Sequence, residues 1–243
     1  MTDWLIDDSV DSGRIAPALA AAQVATRGAG DADAANAALV VRLHDLVVHN
    51  NHKWITFLGG ADVRVDLVVV QGNVLENDPT TWYTPTTLRF ESVGDGDSLP
   101  VDEQGILAYY GWPKHFLDIS VIVSRDTAHS DDLSALLSRS AANPEVKTAL
   151  SALIGVAVAV PPAAAVAAAL TAAATIGNVA YQAVRSISSK SIGLYRGNRL
   201  AFPDRFGVGR NPRNGSYRQQ DLSFWYEVIE SAPREEEGVS PPR

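Results

Sequence analysis

Val63-Arg64-Val65-Asp66-Leu67-Val68-Val69 places apolar side chains at 63, 65, 67 and 69 and charged ones at 64 and 66. Successive side chains of an extended chain point to opposite faces, so this period of two predicts a half-buried strand, which Gly72-Asn73 ends. The same period recurs on either side of it. Leu39, Val41 and Leu43 alternate with Val40, Arg42 and His44, then the apolar set resumes out of phase at Leu46 and Val48, which predicts a bulge near Asp45. Leu88 and Phe90 oppose Arg89 and Glu91 between Thr87 and Val93, and Leu117, Ile119, Val121 and Val123 share one face of His115 to Ser124. Ile192 to Phe202 is loosely patterned; within Gln219 to Ile229, Leu222, Phe224, Tyr226 and Val228 alternate with Ser223, Trp225 and Glu227. Six strands joined by stretches such as Val93-Gly94-Asp95-Gly96-Asp97 and Gly207 to Gly215 predict antiparallel sheets. No helices of crossover length alternate with them, which argues against a parallel doubly wound fold and for a β-sandwich.

Between the fourth and fifth of these strands the pattern changes. Asp131-Asp132 predicts a helix through Arg139 with acidic residues in its first turn, where they complement the helix dipole. Asn143-Pro144 predicts a second start, cap followed by proline. Thr148 to Val184 then carries no charged residue over 37 positions, and Pro161-Pro162 must break it into arms near Glu145 to Ala159 and Ala163 to Arg185. The expected fold is therefore mainly β with an α insertion: an antiparallel sandwich over 38–230 with an Ala-rich helical hairpin inserted at about 131–188. A lead over 1–37, helical in part, precedes it, and a tail over 231–243 with Glu235-Glu236-Glu237 and Pro241-Pro242 has little to bury and is expected to be mobile.

The chain has 243 residues, 46% hydrophobic and 20% charged, enough apolar area for a sizeable core and too much for a disordered chain. The absence of cysteine removes disulfides, thiolate zinc sites and cysteine nucleophiles. Asp3, Asp7, Asp8 and Asp11 stand where an export signal would need positive charge, so a cytoplasmic location is expected, with a peripheral membrane one as its variant. A net charge of −8 opposes whole-domain attraction to nucleic acid, and no RNA-binding motif is present, so nucleic acid is not an expected partner. Against this acidic background, Arg185, Lys190, Arg196, Arg199, Arg205, Arg210, Arg213 and Arg218 meet only Asp204 within their span. Apolar helices next to a basic segment are the two signals that peripheral membrane proteins combine, so these eight residues are the expected contacts to an anionic membrane or a protein partner.

Nine of the twelve residues from Ala163 to Ala174 are alanine, which gains little from hydrocarbon, and Asn178 and Gln182 would need partners in lipid. Close packing against a sheet in a soluble domain is the favoured reading of the hairpin, and insertion into a bilayer the alternative. His44, His49 and His52 carry imidazoles that bind zinc, nickel or copper, but their spacing fits no standard site and His49 to His52 reads as a polar turn. No His-Glu-x-x-His, Gly-x-Ser-x-Gly or phosphate-loop motif occurs, so no catalytic residue is assigned. Asp95, Asp97 and Asp102 cluster in one connection and Asp126, Asp131 and Asp132 in another; calcium takes six to eight oxygen ligands, and Asp95, Asp97 and Asp126 are the candidates to supply them.

With these aspartate loops, the alternating Val63-Arg-Val-Asp-Leu-Val-Val and the run Phe116-Leu-Asp-Ile-Ser-Val-Ile-Val into Ser124-Arg125-Asp126, the chain resembles C2 domains, calcium- and lipid-binding β-sandwiches. The resemblance spans roughly Ala38 to Glu230 without the hairpin, and Asp78 is its one candidate for the aspartate pair of the first apical loop. It implies a sandwich with calcium as a cofactor and a lipid surface as a partner. The expected function is a non-enzymatic interaction module binding a membrane surface or a larger protein assembly. Two alternatives stand beside it: a membrane-permeabilising effector that releases the 148–184 hairpin, and a hydrolase or lyase whose site carries no known motif.

Overall fold

The computed structural model describes residues 38–53, 60–72, 83–128, 130–154, 163–201 and 204–231. The lead, the tail from Ala232, Asp78 and the Pro161-Pro162 break lie outside the described residues. Two antiparallel sheets stack as a β-sandwich, and a layer of helices covers the outer face of one of them.

The first sheet is built on β1 (Ala38–Val48) and β10 (Leu222–Ser231), the first and last strands, paired antiparallel. β4 (Asp97–Ser98) and β5 (Ile106–Gly111) share the free edge of β1. β8 (Gly209–Asn211) and β9 (Tyr217–Gln219) share the free edge of β10. The phase slip in β1 is a bulge: the register shifts between His44 and Val47, and Asp45 has φ 49°. The second sheet runs β3-β2-β6-β7, from β2 (Ala61–Gln71), β3 (Tyr83–Val93), β6 (Phe116–Arg125) and β7 (Lys190–Leu200). Leu39, Val41, Leu43, Val65, Leu67, Ile119, Val121, Phe224 and Tyr226 meet between the sheets in one apolar core.

The insertion between β6 and β7 forms α1 (Leu133–Ser140), α2 (Pro144–Ile154) and α3 (Ala163–Ile187). Asn143 caps α2 as expected, its Oδ1 accepting the Glu145 amide at 2.9 Å. Asp132 is the N-cap residue of α1 and Asp131 precedes it, so neither sits in the first turn; their carboxylates pair with Arg89 and Arg139. The Leu133 amide donates instead to Thr87 Oγ1 of β3 at 2.9 Å, tying the helix start to the sheet. Val166, Ala169, Ala173, Ile176, Ala180 and Val184 recur at helical spacing on the buried face of α3. They pack with Val68, Val70, Phe116, Ile122 and Leu194 of the second sheet into a second core. At Gly177 a Cβ would fall 2.9 Å from Ser120 Oγ, so glycine lets α3 approach the sheet backbone closely.

The helices bury what the alternation presents as a solvated face. Arg64 and Asp66 are 0% exposed. Arg64 Nε and a terminal nitrogen donate to the two Asp66 oxygens at 2.6 and 2.7 Å, and its other terminal nitrogen reaches Ser130 Oγ and the Asp131 carbonyl before α1. A second fork joins Arg196 to Asp118 at 3.0 and 2.6 Å, with the Leu170 carbonyl of α3 3.4 Å away. The expectation of a half-buried β2 is corrected: its charges are tolerated inside because each guanidinium fork matches a carboxylate.

Candidate anion-binding cleft

The eight expected basic contacts do not form one patch. Arg196 is buried in its pair with Asp118 and faces the helices, so it is no surface contact. Arg185 ends α3 and Lys190 begins β7, whereas Arg199 lies at the far end of that strand, about 30 Å away at the usual rise per residue. Arg218 is exposed on β9. The remaining four, Arg199, Arg205, Arg210 and Arg213, line a cleft of about 510 Å³ between the end of β7 and the loop around β8.

Each wall of this cleft has a local cause. Arg199 is half-buried; it donates to Tyr217 Oη at 2.8 Å and to the Asn198 carbonyl at 3.1 Å, and its guanidinium lies 5.8 Å from the Tyr226 ring centroid. Tyr217 and Tyr226 belong to an aromatic cluster with Tyr195 and Phe224. Burial pushes the Tyr195 and Tyr226 hydroxyls well above their ordinary range, against a lowering by Arg199, so both stay neutral beside it. Arg210 stacks on Trp225 at 3.9 Å, and Trp225 stacks on His44 at 4.0 Å and 9°, a three-tiered pile on the outer face of the first sheet. Arg205, Phe206 and Gly207 have φ of 44°, 56° and 70°, a left-handed turn anchored by the buried Phe206 ring. A Cβ at Gly207 would fall 2.7 Å from Arg199 Cδ, so glycine meets both the turn and the space that Arg199 fills. Asn211 Nδ2 holds the loop by donating to the Gly207 and Gly209 carbonyls.

An apolar row leads into this cleft across the face of the first sheet that no described residue covers. Tyr110 is 53% exposed and pairs with Val40, which pairs with Ile229. Continuing the Val228 to Gly209 register by one residue sets exposed Val208, a cleft wall, beside Ile229. Trp112, 43% exposed, meets Tyr110 edge-on at 5.3 Å. This row was missed from sequence because β5 lacks a period: a register shift opposite Val41 and Arg42 turns both Ala108 and Tyr109 inward. The aromatic-rich Ile-Leu-x-Tyr-Tyr-x-Trp composition of 106–112 was its one available signal.

The calcium candidates are engaged otherwise. Asp95 accepts the Asn51 amide, Asp97 accepts the Gly94 amide, and Asp126 is bound by Arg89 at 3.0 Å with Arg64 3.7 Å away. A cation at Asp126 would have to displace two guanidinium groups. Among the described residues no group of three or more His, Asp or Glu side chains is placed to hold a metal ion. The three histidines are likewise spread along the β1–β10 seam, His44 on Glu227, His49 on Ser223 and His52 on Asp221. A larger concavity, about 890 Å³, runs along the α2–α3 groove, but more than half of its lining is alanine and threonine and Glu145 is its one charge, so it lacks the positive charge that the arginine cleft concentrates. The arginine cleft is the better candidate. The chain matches no protein-family model and no curated protein, so the reading rests on these residues alone.

Proposed function

We propose that the protein is a non-enzymatic interaction module that docks on an anionic membrane surface. One observation carries the reading: a cleft of four arginines opens at the end of an exposed row of Val208, Ile229, Tyr110 and Trp112. Basic side chains attract the headgroups and apolar ones enter the interface, and the two contributions add. The resemblance to C2 domains supports a surface-binding sandwich; calcium is not needed for it, because the cleft supplies its own positive charge. The α3 helix has the length and composition to cross a membrane, with mean hydropathy 1.5 over its most apolar window. Its buried face and the Arg196 contact to the Leu170 carbonyl favour retention on the sheet over release.

Sedimentation with vesicles tests the proposal. Binding to anionic vesicles is expected to weaken steeply between low and physiological salt, each cleft arginine near the surface contributing about 1 kcal/mol. Neutral vesicles are expected to bind poorly. Equal sedimentation with both lipids would remove the role of the arginines, and sedimentation with neither at low salt would remove the membrane and leave a protein assembly as the partner.

A further inference from the structure

We infer that Asn214-Gly215 is a self-modification site: in water the chain converts Asn214 to aspartate or isoaspartate, and the new carboxylate lowers the attraction of the arginine cleft for anions. The effect on the cleft rests on the docking reading; the chemistry does not. Asn214-Gly215 is the one Asn-Gly pair in the sequence. Asparagine is a thermolabile side chain, open to attack by the backbone amide of the next residue; a side chain there obstructs that amide, and glycine has none. The step balances without an oxidant or reductant. The Gly215 amide loses its proton to solvent and its nitrogen bonds to Asn214 Cγ; the Cγ–Nδ2 bond breaks and Nδ2 departs as ammonia, leaving a cyclic succinimide. Water then opens the ring. Cleavage at Cγ gives aspartate, and cleavage at the backbone carbonyl gives isoaspartate.

The fold leaves both reacting groups accessible. Residues 213–216 are exposed in the connection between β8 and β9. Among the described residues the Asn214 carboxamide makes no hydrogen bond and the Gly215 amide donates none. A Cβ placed on Gly215, where φ is 71°, would meet nothing within 4 Å, so no neighbouring side chain obstructs ring closure. The other described asparagines each lack one of these conditions. Asn143 and Asn211 precede proline, which has no N–H to attack. Asn51 and Asn198 are buried, the amide after Asn178 lies inside α3, and Asn50 Oδ1 accepts the His52 amide. The position bears on binding because Arg213 beside it lines the cleft, and Arg210, another cleft residue, donates to the Gly215 carbonyl at 2.7 Å. A carboxylate at 214 therefore forms next to the positive charge that an anionic surface would meet.

The test follows the full chain in warm, mildly alkaline buffer beside a synthetic peptide of residues 211–218, with digestion at acid pH and mass spectrometry. Residue 214 is expected to gain the mass of an amide-to-acid exchange ahead of every other asparagine, with ammonia released in equal amount and part of the product methylated by an isoaspartyl methyltransferase. Asn214→Gln, checked for unchanged melting, is expected to abolish the early ammonia and the methylation. Retention of the amide at 214 while the peptide converts would show that the loop protects it; that result overturns the site and leaves the docking reading untouched. Fresh, converted and Asn214→Asp proteins are then compared on anionic vesicles at low salt. The converted protein and the Asn214→Asp variant are expected to bind about fivefold more weakly, the equivalent of one opposed charge near the surface. Equal binding by all three would overturn the effect on the cleft. No binding by fresh protein would overturn the docking reading while the modification site stands.

Discussion

The β3-β2-β6-β7 sheet is covered on both faces, by the opposing sheet and by the helices, whereas the described residues cover the sheet built on β1 and β10 on one face. Both carry arginines on the face turned away from the shared core, and the same side chain has opposite fates there. Arg64 and Arg196 are enclosed and matched one to one with Asp66 and Asp118. Arg210 lies on an aromatic ring at the mouth of an open cleft, beside apolar residues that no described residue covers. Charges on the covered face serve the packing of the fold; under the proposed function, those on the face left open by the described residues meet a partner.

Changes that break the covered side are expected to be the most severe. Val65 and Val121 are fully buried between the sheets, and replacing either by Asp strands a charge at a cost of several kcal/mol, so the variants should not be recovered as cooperatively melting protein. Asp66→Ala or Asp118→Ala leaves a buried guanidinium unpaired, and urea melts should show a loss of about 3–5 kcal/mol. The double change Asp118→Leu with Arg196→Met should cost far less than Asp118→Ala alone, since it removes both charges together.

A smaller effect belongs to the core that both sheets share. Burial raises the hydroxyl pKa values of Tyr109, Tyr195 and Tyr226 above the ordinary value near 10. Above that pH the unfolded chain loses these protons while the folded one keeps them. Stability from this source is therefore full below pH 10 and falls as pH rises beyond it, by about 1.4 kcal/mol per pH unit for each tyrosine. Denaturant melts between pH 9 and 11 should show the decline, and Tyr195→Phe should remove one tyrosine's share of it.

The bare face should respond least in stability and most in binding. Ile229→Ser and Tyr110→Ser, at exposed positions, are expected to shift unfolding by no more than about 0.5 kcal/mol. The same variants should weaken sedimentation with anionic vesicles. A melting loss as large as that of Asp66→Ala would show that this face is packed in solution and would remove the contrast.

How far this contrast could be read beforehand depended on what each side chain does locally. The strands around Val65, Val121 and Phe224 follow from period two, the β1 bulge from a slip in phase, and the α2 cap from Asn143-Pro144. Packing of the helices on a sheet followed from the Ala-rich hairpin, but that β2 is the covered strand did not, because Arg64 and Asp66 neutralise each other two residues apart on one face, a pattern identical to that of a solvated strand. β5, β8 and β9 were missed since three to six residues, or a register shift, leave no period to find. The arginines of the cleft were visible by count, but the loss of Arg196 to the interior and the separation of Arg185 and Lys190 depend on which strand faces which layer, a long-range property. Trp225, Tyr217 and Val208 carry no local signal of their role in the cleft.

If the outer face of the first sheet meets the membrane while the helices stay on their sheet, the absence of cysteine makes one measurement direct. Single cysteines at Val208, in the cleft wall, and at Thr171, on the exposed side of α3, would each carry an environment-sensitive fluorophore. On adding anionic vesicles at low salt, the label at 208 is predicted to shift to the blue and that at 171 to remain unchanged. A blue shift at 171 with none at 208 would mean that the helical layer enters the bilayer, contradicting the proposed docking.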